Sequence, residues 1–231
     1  RGNVLTGAYI DVGRRTAPLL GDAGMTLENW CWSTVGDVHI MNASDAGLYL
    51  NATAATDKIT GNSFSNITIN DVEDGNGSSA CGIEVVTTEE FSFNTFKGLN
   101  ISNIGGDTDG VQAFLYIHPA DTAAHIGNLF DGGVLNVSQE VGISANHLTK
   151  SAFKNLEIHG VGAGAAGQAF IMTDCNYCQV KACSMYGTAS QMKYGYEEAS
   201  SDYNEVQYNL IVGAATAAVR TATLGAHTVA T

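Results

Sequence analysis

The sequence predicts an all-β solenoid, a single-stranded parallel β-helix of about seven to eight coils. Three observations predict it. A short motif recurs with one internal spacing, the separation between copies varies, and no segment carries a helical hydrophobic pattern over ten residues or more.

The motif is an anchor residue followed by apolar residues at +2, +5 and +7. Asn62-Ser-Phe64-Ser-Asn-Ile67-Thr-Ile69 recurs as Asn94-Thr-Phe96-Lys-Gly-Leu99-Asn-Ile101 and as Ser151-Ala-Phe153-Lys-Asn-Leu156-Glu-Ile158. Cys178-Gln-Val180-Lys-Ala-Cys183-Ser-Met185 keeps the spacing with softer residues. The copies anchored at Asn128 and Asn204 depart from it only at +5, where Gly133 and Asn209 stand. Successive +2 residues lie 32, 34, 23, 27 and 26 residues apart, so fixed strands alternate with loops of variable length. A propeller blade needs about 40–50 residues. A β-helix coil needs only two or three short strands, which fits the observed period.

Each element of the coil follows from the motif. Residues +5 and +7 alternate with polar neighbours, the mark of a strand with one buried face. The step from +2 to +5 breaks the alternation, so the chain bends there. A further strand precedes each motif: Gly47-Leu-Tyr-Leu50, Gly82-Ile-Glu-Val85 and Gly142-Ile-Ser-Ala145, with Gln112-Ala-Phe-Leu-Tyr116 and Gln168-Ala-Phe-Ile-Met172 as a longer variant. Stacking at about 4.8 Å per coil places Phe64, Phe96, Phe130 and Phe153 in one internal ladder. Ile69, Ile101, Leu135, Ile158, Met185 and Ile211 form another. The anchor Asn belongs in a tight bend, its amide pairing with the coils above and below. Residues 1–35 are expected to form initial coils or an N-terminal cap, 36–225 the column and 226–231 a C-terminal tail. No capping element is evident, as in a fragment of a longer chain.

Composition agrees. Gly accounts for 27 of 231 residues, Pro for 2 and charged residues for 14%, which excludes collagen, disordered chains and long surface helices. Glycine is expected at bends and at the starts of coils, as at Gly47, Gly82 and Gly142, and scarce proline spares the ladder hydrogen bonds. A net charge of -13 opposes binding to nucleic-acid phosphates or anionic membranes. No run of 18 apolar residues marks a membrane span, so neither nucleic acid nor membrane insertion is expected. The cysteines Cys31, Cys81, Cys175, Cys178 and Cys183 are odd in number and lack a second CxxC pair. They suit buried positions better than a disulfide framework or a zinc site. His118, His125, His147 and His159 have no metal-ligand spacing, and no cofactor is expected.

The Asn-x-Phe-x-x-Leu-x-Ile motif, set after a Gly-Ile-x-Val strand, resembles the pectate-lyase-like right-handed parallel β-helix superfamily over about residues 36–225. Its loops are similar in chemistry to those of bacteriophage tailspike and tail fibre proteins. That resemblance implies a right-handed coil and a homotrimer in the extracellular virion tail, assembled in the host cytoplasm beside other virion tail proteins. It also implies binding of bacterial surface polysaccharide, which many relatives cleave with a carboxylate pair. The Asn-x-Asp, Asp-Asp, Gly-His-Gly and Arg-x-Lys motifs of polygalacturonases are missing. Arginine stands only at Arg1, Arg14, Arg15 and Arg220, all near the ends, so a pectate-lyase site with its catalytic arginine is not expected.

Glycoside hydrolysis needs two carboxylates about 5–9.5 Å apart, which acids one or two coils apart can supply. One set follows the first strand of each coil: Asp57, Glu89, Glu90, Asp121, Asp174, Glu197 and Glu198. A second lies in the closing loops: Asp74, Asp107, Asp109 and Glu140. Glu89 and Asp121 form the preferred pair, since they occupy consecutive coils at similar offsets from the next Phe; Glu90 and Asp109 are the next candidates. Sugar contacts are expected from Tyr49, Glu84, Tyr116 and His118: Tyr49 alternates with Leu48 and Leu50 and so faces outward, Glu84 projects outward from its strand, Tyr116 lies on or beside a strand, and His118 stands where it can assist a carboxylate. Three functions compete: a depolymerising tailspike, a non-catalytic fibre or receptor-binding segment, and a secreted polysaccharide lyase. Release of oligosaccharides separates the first from the second.

Overall fold

The computed structural model describes residues 2–13, 23–74, 79–106, 111–120, 125–138, 140–161, 167–187, 192–221 and 229–230. They form a parallel β-helix of about eight coils. The second sheet holds one strand per coil, in the order Met25–Glu28, Ala46–Ala52, Ala80–Thr87, Gln112–Ile117, Val141–Asn146, Gly167–Thr173, Met192–Ala199 and Ala217–Thr221. The first sheet carries the motif strands, among them Thr34–Ala43, Ser63–Asp74, Thr95–Gly106, Leu129–Ser138 and Ala152–Val161. Every pairing between these strands is parallel and joins successive coils. A two-stranded sheet, Lys58–Thr60 with Glu90–Ser92, covers part of a third side. Val4–Thr6 and Tyr9–Asp11 add a first rung at one end, and Val229–Ala230 pairs with Glu205–Gln207 at the other.

The internal ladders are those expected. Phe64, Phe96, Phe130 and Phe153 are fully buried, with successive rings parallel and their centroids 4.4, 4.6 and 4.7 Å apart. Ile69, Ile101, Leu135, Ile158, Met185 and Ile211 face one another in register.

The anchors form a hydrogen-bonded spine. The backbone N–H of Ser33 donates to Asn62 Oδ1 (2.9 Å), that of Asn62 to Asn94 Oδ1 (3.1 Å), and that of Asn94 to Asn128 Oδ1 (3.0 Å). Cys178 N–H donates to Asn204 Oδ1 in the same way (2.8 Å). Ser33, with Val35, Val38 and Ile40 at +2, +5 and +7, is a further copy of the motif, with Val in place of Phe at +2.

The bends obey the same numbering. Among the described residues, every non-glycine residue of positive φ stands at −4, −1, +4 or +9 from an anchor, with φ between 50° and 58°. The expected break between +2 and +5 is therefore a left-handed residue at +4, as at Asn66 (φ 52°) and Asn155 (φ 54°). The irregular +5 residues also have reasons. A Cβ on Gly133 would lie 2.3 Å from the Leu99 carbonyl oxygen. Asn209 accepts from Cys183 N–H and donates to the Val180 carbonyl, a second spine beside the first.

Gly47, Gly82 and Gly142 stand near the starts of the second-sheet strands, at the coil entries expected for them, and not at bends. A Cβ on Gly82 would meet Ile101 Cγ2 at 2.5 Å and the Phe114 carbonyl oxygen at 2.6 Å. Glycine there lets the two sheets approach through the +7 isoleucines.

Candidate functional site

Alternation along the second sheet decides which side chains reach solvent. Leu48, Leu50, Ile83, Val85, Leu115 and Ile117 point inward and are fully buried. The residues between them, Tyr49, Glu84 and Tyr116, point outward and are half-buried. Register then places Tyr49 directly opposite Glu84, and Glu84 opposite Tyr116, in three successive coils. The same row continues through Ser144 and Ile171 to Glu197, which is bound by Arg220. Two residues along the same strand face, the His118 ring stacks on Tyr116, with centroids 3.9 Å apart and planes 9° from parallel. Its Nε2 lies 2.8 Å from Ser144 Oγ. All four expected contact residues, Tyr49, Glu84, Tyr116 and His118, thus share one surface.

Electrostatics mark the centre of this surface. Desolvation between two tyrosines, reinforced by the negative charge of Asp45, pushes the Glu84 carboxyl up to about 7. Desolvation also pushes His118 down to about 4, with a smaller contribution from His147. Near neutral pH the surface therefore holds a carboxyl that is partly protonated and an imidazole that is neutral. Burial and the Glu84 charge raise both tyrosine hydroxyls, so they remain donors. Asn51, two residues beyond Tyr49, and Asn146, two beyond Ser144, each bury a side-chain oxygen with no hydrogen-bond partner. Such acceptors are costly unless a donor arrives. Sequence reasoning passed over Ser144, Asn51 and Asn146, because nothing local separates them from the many other Ser and Asn residues of the chain.

The acidic candidates fare differently. Glu90 sits on the two-stranded sheet, its carboxylate 2.8 Å from Lys58 Nζ in the register partner. The backbone carbonyl of Glu89 accepts from the Thr87 hydroxyl. Asp121 and Asp109 lie outside the described residues, as does Asp107. The first acidic set is not one row: Glu197 faces outward on the second sheet, whereas Glu198 is fully buried and accepts from the Tyr196 hydroxyl at 2.8 Å. Among the described residues no cluster of three or more His, Cys, Asp or Glu side chains could hold a metal ion.

Two solved structures resemble this fold. One is the A-module of Azotobacter vinelandii mannuronan C-5 epimerase AlgE6, at 14% identity over 87% of this chain and a TM-score of 0.45. The other is the A-module of AlgE4 from the same organism, at 13% identity over 99% of this chain and a TM-score of 0.26. The chain spans 65% of the AlgE6 module and 85% of the AlgE4 module. No protein-family model and no curated protein matches the chain.

Proposed function

We propose that the outer face of the second sheet binds a polysaccharide and that Glu84 delivers a proton to it. The observation that carries this reading is the row Tyr49–Glu84–Tyr116: two aromatic platforms flank a carboxyl held near 7, in successive coils. Sugar rings stack on aromatic side chains and take their orientation from a few convergent polar groups. Ser144, Asn51 and Asn146 supply those groups beside the platforms.

The chemistry follows from protonation. Half-neutral near pH 7, Glu84 can donate to a glycosidic oxygen as general acid. Neutral His118, hydrogen-bonded to Ser144, can accept a proton. Asp45 is the acidic residue whose charge acts on Glu84. A bacterial surface polysaccharide, met by a homotrimeric virion-tail protein, is the setting that the sequence resemblance implies for such a face.

A glycan array and reducing-end release from purified bacterial polysaccharides test the reading. Tyr49→Ala and Tyr116→Ala are expected to weaken binding at least tenfold. Glu84→Gln is expected to keep binding and abolish release. Retained binding in both tyrosine variants would overturn the site. Binding without release by the native chain would reduce it to a recognition surface.

A further inference from the structure

A second surface runs along the first sheet and the corner before it. The −1 positions in five successive coils are Phe93, Gly127, Lys150, Tyr177 and Tyr203. The +3 positions are joined in register as Lys97, Asp131, Lys154, Lys181 and Gln207. Together they border a shallow strip floored by the half-buried +1 residues. We propose that this strip is a track for a linear, carboxylate-bearing polysaccharide, separate from the second-sheet face and independent of its reading.

The rings are placed against the preference of the backbone. Phe93, Tyr177 and Tyr203 hold φ of 56° to 57°, a conformation that bulky residues avoid. The +4 corner of the same coils holds Gly98, Gly132 and Asn155, which tolerate it, and then Ala182 and Tyr208, the latter a fourth exposed aromatic ring in this conformation. The −1 rings gain little burial in return, with 57%, 53% and 45% of their surfaces open. Fold stability alone gives no reason for exposed aromatic residues in left-handed conformation; strain that persists at a surface points to recognition.

The charge is equally out of place. The chain carries a net -13, yet four of its six lysines border this strip. Among the described residues, Lys97, Lys150 and Lys154 make no ion pair. The nearby acids are engaged: Glu205 by Lys181 (2.6 Å) and Gln179 (2.9 Å), and Asp131 by Asn155 Nδ2 (2.7 Å). Lys154 faces Lys181 in the next coil, where like charges repel, and a polyanion laid along the column offsets the positive charge that Asp131 and Glu205 leave uncompensated.

Ring geometry separates the candidate polymers. Tyr177 and Tyr203 are parallel with centroids 4.9 Å apart, which leaves no gap for a nucleobase between them. Among the described residues no arginine, the preferred partner of phosphate, borders the strip. Ring edges are the positive rim of the aromatic quadrupole, and with ammonium point charges beside them they suit the carboxylates of acidic sugars.

Isothermal titration calorimetry with the full chain and size-defined polygalacturonate tests this, with dextran and poly(dT) as comparators. The expected result is binding of polygalacturonate that weakens with salt, and none of dextran. Lys150→Gln with Lys154→Gln should weaken it about tenfold. Tyr177→Asn, which keeps a residue that tolerates the left-handed corner, should weaken it severalfold without lowering the unfolding midpoint. The proposal is overturned if the lysine variant binds as the native chain does, if poly(dT) binds as tightly, or if polygalacturonate does not bind. It is also overturned if Tyr116→Ala abolishes binding while the lysine variant does not, because the ligand then lies on the second sheet.

Discussion

Glu84 should titrate far from the usual carboxylate range, and this can be worked through. Its carboxyl lies near 7 in the fold against 4.5 for an exposed glutamate. At pH 6 it is then ~90% protonated, where an ordinary glutamate is ~3% protonated. The folded protein binds this proton more tightly than the unfolded chain does. The resulting stability is fully present below about 4.5 and is lost as the pH rises through about 7. His118 has the opposite sign. It is held near 4 against 6.5, so its contribution is present above 6.5 and is lost as the pH falls through about 4. In the native chain the two effects oppose each other across the same interval. Glu84→Gln leaves the histidine alone, so the variant should lose stability relative to the native chain on acidification from pH 7 to 4. His118→Gln should gain it over the same range. Urea unfolding at each pH measures these differences, and carbon-13 NMR of the glutamate carboxyls reads the titration directly. Asp45→Asn should bring Glu84 only part of the way down, because desolvation is the larger cause. A Glu84 titrating near 4.5, or a Glu84→Gln stability profile parallel to that of the native chain, would refute the reasoning.

Three further outcomes follow from the column itself. A double-mutant cycle on Phe64 and Phe96, whose rings stack at 4.4 Å, should show about 0.5–1.5 kcal/mol of coupling. The pair Phe64 and Phe130, two coils apart, should show less than about 0.5 kcal/mol by urea denaturation. Gly82→Ala should destabilise by about 1–3 kcal/mol, since its Cβ meets a backbone carbonyl at 2.6 Å as well as Ile101; an unchanged unfolding midpoint would contradict that close approach. Asn94→Leu should cost at least about 3 kcal/mol, because it strands the Asn62 donors and the Ile59 carbonyl together, whereas Lys58→Met, which removes a half-exposed ion pair, should cost less than about 1 kcal/mol.

The sequence by itself determined the fold and much of the coil numbering. Each coil meets the same constraints: Phe or Val at +2 must stack, the anchor must satisfy a buried bend, and +7 must face the opposite sheet. A constraint repeated at every rung leaves a pattern in the residues, and Tyr49 and Glu84 faced outward for the same reason of alternation. Tertiary structure decided what those outward residues meet. Tyr49, Glu84 and Tyr116 are 35 and 32 residues apart, and only the register of stacked coils sets them opposite one another. Loop lengths differ from coil to coil, so the acidic residues that looked aligned by offset were distributed between an ion pair with Lys58, a buried bond to Tyr196 and an outward row on the second sheet. The internal ladders must repeat because neighbouring coils share one core, while the surface rows are free to change at each coil.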